Sequence, residues 1–293
     1  MNPVVDTHRS AGLFFKAGGV GSFRLDEGDG EPVVLMHGVP ASCFLYRKVV
    51  PALAKRGLRG IAFDLPGLGL ADRPVEFDYS WTGLGRFATA AVRELGLERF
   101  HLVVHDIGGP VGFEVAAQAP ERVASLTILN TLIEVDRFKK PWSMRPFEVA
   151  GLDRMWLAPM KFRPMFRMLM SMQGIKDRSK VSNEELNAYV DLLFGEDEAR
   201  AFLKMMKAFE TTPEKSRLYQ SVVSSNRYPK QVVWGENDPA LTYSVYGKTA
   251  ERLTSTTAVR LPGKHFLQED QYDAIAESIQ RIADANSRVR VAP

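Results

Sequence analysis

Short apolar runs at residues 33–37, 60–64, 100–105, 124–130 and 230–234 recur along the chain, bounded by Gly, Pro or Asp and separated by stretches of helical character. Runs of this kind, rich in β-branched residues and without polar alternation, fit strands buried on both faces, which is the environment of a parallel sheet covered by helices. The alternation therefore constrains the chain to the α/β class, with a doubly wound, mostly parallel sheet. Residues 12–16 and 20–25 read as an antiparallel start, Gly28 and Gly30 turn the chain into the first central strand, and Thr257 to Leu261 reads as the last one. Ligands in such sheets sit at the C-terminal ends of the strands.

The rhythm breaks between residues 134 and 225. No strand is legible there; the segment reads as several helices and holds nine of the eleven methionines, with Trp156, Phe162 and Phe166 among them. A core domain of residues 1–133 and 226–293 with a helical cap subdomain of 134–225 inserted into it accounts for the length and the interruption. Methionines and aromatics at helical spacing serve as ordinary helix core or as a soft apolar surface over the strand ends, and the two are compatible. Ser182 followed by Asn183, Glu184 and Glu185 marks a helix start that continues to Phe194.

A charged fraction of 25% and a formal charge of +3 spread over scattered Lys and Arg give no basic run, so nothing asks for nucleic acid. Cys43 is the single cysteine, which excludes an internal disulfide and suits a reducing compartment. No window reaches the roughly 18 apolar residues of a membrane span, and the first ten residues lack an apolar stretch behind a basic segment. A cytoplasmic protein with a small-molecule partner and no membrane partner is expected.

The chemistry centres on Leu102-Val-Val-His-Asp106-Ile-Gly-Gly109, a strand that breaks into small residues and then into a helix. A sharp strand-to-helix turn presents its central residue at the tip and needs a small neighbour two positions on, which Gly108 supplies. An Asp here also suits a helix N-cap. As a nucleophile, a carboxylate displaces a leaving group from saturated carbon and forms an alkyl-enzyme ester. His265 follows the last strand in a glycine-led loop and is the candidate general base. Asp238, just beyond the strand at 230–234, is the candidate acid behind the imidazole, or else a turn aspartate before Pro239. The chain order of Asp106, Asp238 and His265 is the nucleophile, acid, histidine order of α/β-hydrolases. After the strand at 33–37, His37-Gly-Val-Pro40 turns the Val39 N–H toward the nucleophile, with the Ile107 N–H on the other side, as an oxyanion hole and leaving-group site.

The stretches His37-Gly-Val-Pro-Ala-Ser-Cys-Phe-Leu-Tyr-Arg47, Asp64-Leu-Pro-Gly-Leu-Gly-Leu-Ala-Asp-Arg-Pro74, Val103-Val-His-Asp-Ile-Gly-Gly109 and His265-Phe-Leu-Gln-Glu-Asp270 give the chain its family likeness. Over nearly its whole length it resembles the haloalkane dehalogenase and epoxide hydrolase branch of the α/β-hydrolases. The resemblance implies a hydrolase in which a water activated by His265 cleaves an ester formed on Asp106, with a small apolar substrate and neither metal nor organic cofactor. Haloalkane dehalogenase-like activity is the first expectation and epoxide hydrolysis the alternative. A binding or signalling protein on the same scaffold is the third. Some members place the acid after the preceding strand, where this chain has Asn130; Asp238 remains the acid here, with Glu134 a weaker candidate.

The chain departs from the family where a leaving group is held. Haloalkane dehalogenases usually carry a tryptophan immediately after the nucleophile, where this sequence has Ile107, and many carry a side-chain donor at the position of Val39. Trp142 and Trp156 are the cap candidates for a replacement N–H, and Tyr189 and Tyr219 for the hydroxyl that epoxide opening needs.

Overall fold

The computed structural model describes residues 2–140, 144–149 and 151–291, and the side chains of these up to residue 287. The apolar runs form β3 (Glu31–Met36), β4 (Leu58–Phe63), β5 (Phe100–Asp106), β6 (Val123–Thr131) and β7 (Lys230–Gly235), preceded by β1 (Leu13–Ala17) and β2 (Val20–Glu27) and followed by β8 (Val259–Leu261). One eight-stranded sheet results, in the order β1-β2-β4-β3-β5-β6-β7-β8. The first two pairings, β1 with β2 and β2 with β4, are antiparallel, and the rest are parallel.

The helices are α1 (Pro3–Ser10), α2 (Val49–Ala54), α3 (Trp81–Glu94), α4 (Gly108–Gln118), α5 (Leu152–Leu157), α6 (Arg163–Leu169), α7 (Asn183–Phe194), α8 (Arg200–Lys207), α9 (Pro213–Ser224), α10 (Lys248–Thr254) and α11 (Tyr272–Val291). Successive strand residues point to opposite faces. Leu102 and Val104 of β5 thus join a core with Leu84 and Ala88 of α3 and Val111 and Val115 of α4, while Val103 joins the opposite one with Leu53 of α2 and Ile275 and Ile279 of α11. Helices on both faces explain why all nine residues of β6 are buried.

Among the described residues, no strand lies between β6 and β7. Helix α7 starts where the capping signal puts it: the Ser182 hydroxyl accepts the Glu185 N–H and the Glu185 carboxylate accepts the Ser182 N–H, a complete capping box. Helix α9, by contrast, packs into the helical layer that covers the sheet. Its Tyr219 ring lies 5.6 Å from Phe113 of α4 and 6.4 Å from Trp81 of α3, as a crossover helix leading into β7.

The helical segment between β6 and β7 is tied to the core through Glu269, which is wholly buried. Arg47 donates to both its oxygens at 2.6 and 2.8 Å and also to Glu185 of α7 at 2.6 Å; Lys48 adds a contact at 3.1 Å, and the Tyr189 hydroxyl donates to Oε1. Such a network fixes geometry more than it adds net stability, because desolvating the charges offsets their attraction. The N-terminal helix makes a second tie: the Asn2 side chain caps α1 through the Val4 N–H at 3.0 Å and reaches Asp191 of α7 at 3.0 Å. Among the described residues, no helix is long and apolar enough to cross a membrane.

Candidate active site

Strand β5 ends on Asp106, whose φ of 52° lies in the left-handed region. For a residue with a Cβ this costs about 1–3 kcal/mol and is kept only where the surroundings impose it. The surroundings here are tight. A Cβ on Gly108 would stand 2.5 Å from the Met36 carbonyl oxygen, and one on Gly38 would stand 2.1 Å from Asp106 Oδ1, so both positions require glycine. The Thr131 hydroxyl donates to the Asp106 carbonyl and fixes the turn from the β6 side. Helix α4 has no side-chain cap, so the Asp106 carboxylate does not serve as an N-cap.

Asp106 Oδ1 accepts the Val39 N–H at 2.8 Å, and Oδ2 lies 3.5 Å from His265 Nε2. The Ile107 N–H also favours the ionised carboxylate. The Val39 loop is held by His37, whose Nε2 accepts the Leu65 N–H at 3.0 Å, leaving Nδ1–H to donate to the Gly38 carbonyl at 3.0 Å.

His265 Nδ1 donates to Asp238 Oδ2 at 2.8 Å. Asp238 stands beyond β7 and is nearly buried. Its Oδ1 accepts the N–H groups of Ala240 and Leu241 at 2.8 and 2.9 Å, and its Oδ2 also accepts Asn130 Nδ2 at 2.7 Å. Asn130 in turn accepts the Gly235 N–H at 2.8 Å. The residue at the alternative acid position is therefore a strut that holds Asp238 against the end of β7. Glu134, the other candidate acid, lies away from His265: its oxygens pair with Arg137 at 3.2 Å and Arg252 at 2.7 Å.

The histidine loop is clamped from both sides. His105, beside Asp106 in β5, donates Nε2–H to the His265 carbonyl at 2.8 Å, and the backbone of Phe266 bonds to Gly174 at 2.8 Å. Burial first, and then the charge of His265, bring the pKa of His105 down to about 4, so this ring is neutral. Sequence reasoning missed His105 and Asn130 as supports; their only sign was position, next to Asp106 and at the C-terminal end of β6.

Burial would lower the pKa of His265, but Asp238 and then Asp106 outweigh it and push the value up to about 10. The same pairing, against the cost of burial, brings Asp238 down to about 2 and holds Asp106 below the ordinary carboxylate range. With Asp106 ionised, the imidazole is a cation between two carboxylates. The side chains of His265 and Asp106 remain 11% and 15% exposed, so the reacting pair is open to a small molecule.

The candidate leaving-group site is apolar. Val39 and Ile107 are buried and bring no polar side-chain atom. The tyrosines expected in the cap are committed elsewhere: the Tyr189 hydroxyl donates to Glu269, and the Tyr219 hydroxyl donates from α9 to Glu114 of α4 at 3.0 Å, within the helical layer over the sheet. Each hydroxyl satisfies a buried carboxylate and is unavailable to a substrate oxygen. Trp156 lies on α5 and is 40% exposed, and Trp142 lies outside the described residues.

Residues 31–272 match the family described as the alpha/beta hydrolase fold. Haloalkane dehalogenase 2 of Mycobacterium tuberculosis (strain ATCC 25618 / H37Rv) is 28% identical over 271 residues, spanning 87% of this chain and 88% of that protein. Among solved structures, Cfl2 from Burkholderia cenocepacia superposes with a TM-score of 0.79 at 24% identity, over 92% of this chain and 94% of that one. A Pseudomonas aeruginosa protein provisionally assigned as an epoxide hydrolase gives 0.75 at 20% identity, over 94% of this chain and 96% of that one. At these identities the two structures show a shared fold. The chain belongs to the α/β-hydrolase fold family.

Proposed function

We propose that this protein hydrolyses small haloalkanes through a covalent ester on Asp106. The observation that carries the reading is the orientation of one carboxylate: Oδ1 is engaged by the Val39 N–H at 2.8 Å, which leaves Oδ2, on the His265 side, to attack. Oδ2 bonds to the saturated carbon, the carbon–halogen bond breaks, and the halide leaves with the electron pair. Esterification removes the negative charge of Asp106, one of the contributions that keep His265 protonated. The imidazolium then releases its proton to solvent, the proton that accompanies the halide in the overall reaction, and Nε2 becomes the base that deprotonates water. Hydroxide adds to the ester carbonyl carbon, and the charge that develops falls on Oδ1, already beside the Val39 N–H. A preplaced donor of this kind contributes roughly 10²–10³ in rate. Collapse breaks the bond between the carbonyl carbon and Oδ2, the departing alkoxide takes the remaining proton of the added water and leaves as the alcohol, and the carboxylate is restored beside the imidazolium, while Asp238 orients the ring and balances its charge.

Two observations favour halide over epoxide oxygen. Curated relatives are haloalkane dehalogenases, and the Tyr189 and Tyr219 hydroxyls that would assist epoxide opening are occupied by Glu269 and Glu114. Helices α5 to α8 act as the cap over this chemistry, and the single, buried Cys43 suits a cytoplasmic enzyme.

The test is mass spectrometry of His265→Gln after incubation with bromoalkanes, chloroalkanes and epoxides of matched size. Alkyl adducts on Asp106 from the haloalkanes are expected. Adducts from epoxides alone would make the protein an epoxide hydrolase, and no adduct from any electrophile that the wild type consumes would end the covalent reading.

A further inference from the structure

Twelve large apolar side chains are exposed among the described residues, and eight of them fall between Val149 and Met172. Met155, Phe162, Met168 and Met172 are 66%, 63%, 52% and 60% exposed, on, between and just beyond α5 and α6. Large apolar side chains concentrated at the surface of one stretch of chain, instead of scattered singly, mark an interaction site. Within the same stretch lie four cations, Arg154, Lys161, Arg163 and Arg167, against one acid, Asp153. That acid is buried and already neutralised by Lys207 of α8. Lys161 and Arg163 pair with Glu198 and Asp191, whereas Arg154, Arg167 and the neighbouring Arg145 have no ion-pair partner among the described residues.

We propose that this face of α5 and α6 docks on an anionic lipid surface. Short helices that carry Trp, Phe and other large apolar side chains beside Arg and Lys bind at the headgroup boundary, with apolar groups inserted and cations on the phosphates. A second copy of the chain fits less well, because a self-complementary face would set unpaired arginines against unpaired arginines, and charged residues are depleted from the cores of protein interfaces. The expectation of no membrane partner rested on the lack of an apolar run long enough for a membrane-spanning helix. Peripheral binding requires only the outward methionines and aromatics that the structure displays.

The docking face adjoins the chemistry. Lys264 donates to the Ser171 and Met172 carbonyls at 2.7 and 2.8 Å, and the backbones of His265 and Phe266 bond to Gln173 and Gly174 at 3.4 and 2.8 Å. An apolar substrate dissolved in the bilayer would enter next to the histidine loop; this consequence, unlike the docking itself, rests on the proposed function.

The experiment is flotation of the full-length protein with vesicles of phosphatidylcholine alone or mixed with phosphatidylglycerol, a readout independent of turnover. Wild type is expected to float with the anionic vesicles and stay behind with neutral ones, and to be released by high salt. Met155→Glu with Phe162→Glu, and separately Arg154→Glu with Arg167→Glu, should each weaken binding by roughly tenfold or more. Both pairs change exposed or half-exposed side chains, and an unchanged Tm verifies the fold. Equal recovery with both vesicle types, or unaltered binding by both folded variants, overturns the proposal. So does a dimer in solution that the Met155→Glu, Phe162→Glu variant dissociates while no vesicle binding is seen, which would make the face a self-association surface.

Discussion

Asp238→Asn changes one atom at the point where four donors converge. In the wild type, Oδ2 accepts His265 Nδ1 at 2.8 Å and Asn130 Nδ2 at 2.7 Å, while Oδ1 accepts two backbone N–H groups at 2.8 and 2.9 Å. An amide offers one oxygen and two further donors, so either orientation sets donors against donors. The less costly one keeps the oxygen on the Ala240 and Leu241 N–H groups and turns the NH2 toward His265. The imidazole then relieves the clash by changing tautomer, with Nδ1 accepting and the proton on Nε2, facing Asp106. No base remains for water, and the negative charge that stabilised the imidazolium is gone. A fall of roughly 10⁴-fold in ester hydrolysis is expected, equivalent to ~5 kcal/mol in the barrier. Asn130 Nδ2, left facing a donor, costs a further 1–3 kcal/mol, approximately, in folding stability. Quenched single-turnover kinetics with a bromoalkane separates the steps: alkylation should survive, so the ester should accumulate toward one per enzyme while alcohol release stalls. Hydrolysis within tenfold of wild type would refute the tautomer argument. Glu134→Gln serves as the control, and a comparable loss there would move the acid to the end of β6.

The pH dependence of stability follows from the same pairing. The pKa of His265, about 10 in the fold against an ordinary 6.5, means a contribution fully present below pH 6.5 and lost as pH rises through 10; that of Asp238, about 2 against 3.8, is present above 3.8 and lost as pH falls through 2. Urea unfolding at pH 6 and pH 10 should therefore show a drop in wild type that is largely absent in His265→Gln, and equal drops would remove the imidazolium from the account. Glu269→Gln should cost about 3–5 kcal/mol in urea unfolding, because Arg47 and Lys48 lose the buried charge they share; a loss below 1 kcal/mol would show that water reaches the network. At the leaving-group site, each missing charge-assisted hydrogen bond is worth about 1.5–3 kcal/mol, so wild type should release bromide far faster than chloride. Ile107→Trp should narrow that gap if the packed site accepts the ring at the usual overpacking cost of about 1–3 kcal/mol, and equal bromide and chloride rates in wild type would reveal another donor.

Much of this molecule was legible because strand ends and chemistry coincide in a doubly wound sheet. The apolar runs, buried from both sides, gave strands within a few residues of their bounds, and the turn at Asp106 betrayed itself through Gly108, which the Met36 carbonyl leaves no room to replace. Legibility stopped where a side chain's partner lies far along the chain. Tyr189 reads as a plausible pocket hydroxyl until Glu269, eighty residues on, is seen to accept from it, and Tyr219 is similarly claimed by Glu114. Helix α1 was missed for a related reason: its short sequence carries little apolar periodicity, and its buried His8 packs between Phe23 and Phe44 at 4.9 and 5.1 Å.

Asn130 joins the two cases. As a sequence feature it was only the absence of a carboxylate after β6; in the fold it is the donor that presses Asp238 toward His265. A carboxylate at both strand ends would place two buried anions on one hydrogen-bonded site, and one of them would take up a proton instead of balancing the imidazolium. An amide there avoids the repulsion, and both its polar ends are satisfied, by Gly235 N–H at 2.8 Å and by Asp238 at 2.7 Å. The choice of acid in this fold is therefore made by a pair of positions, and a neutral residue at one end of the pair says as much about the chemistry as the charge at the other.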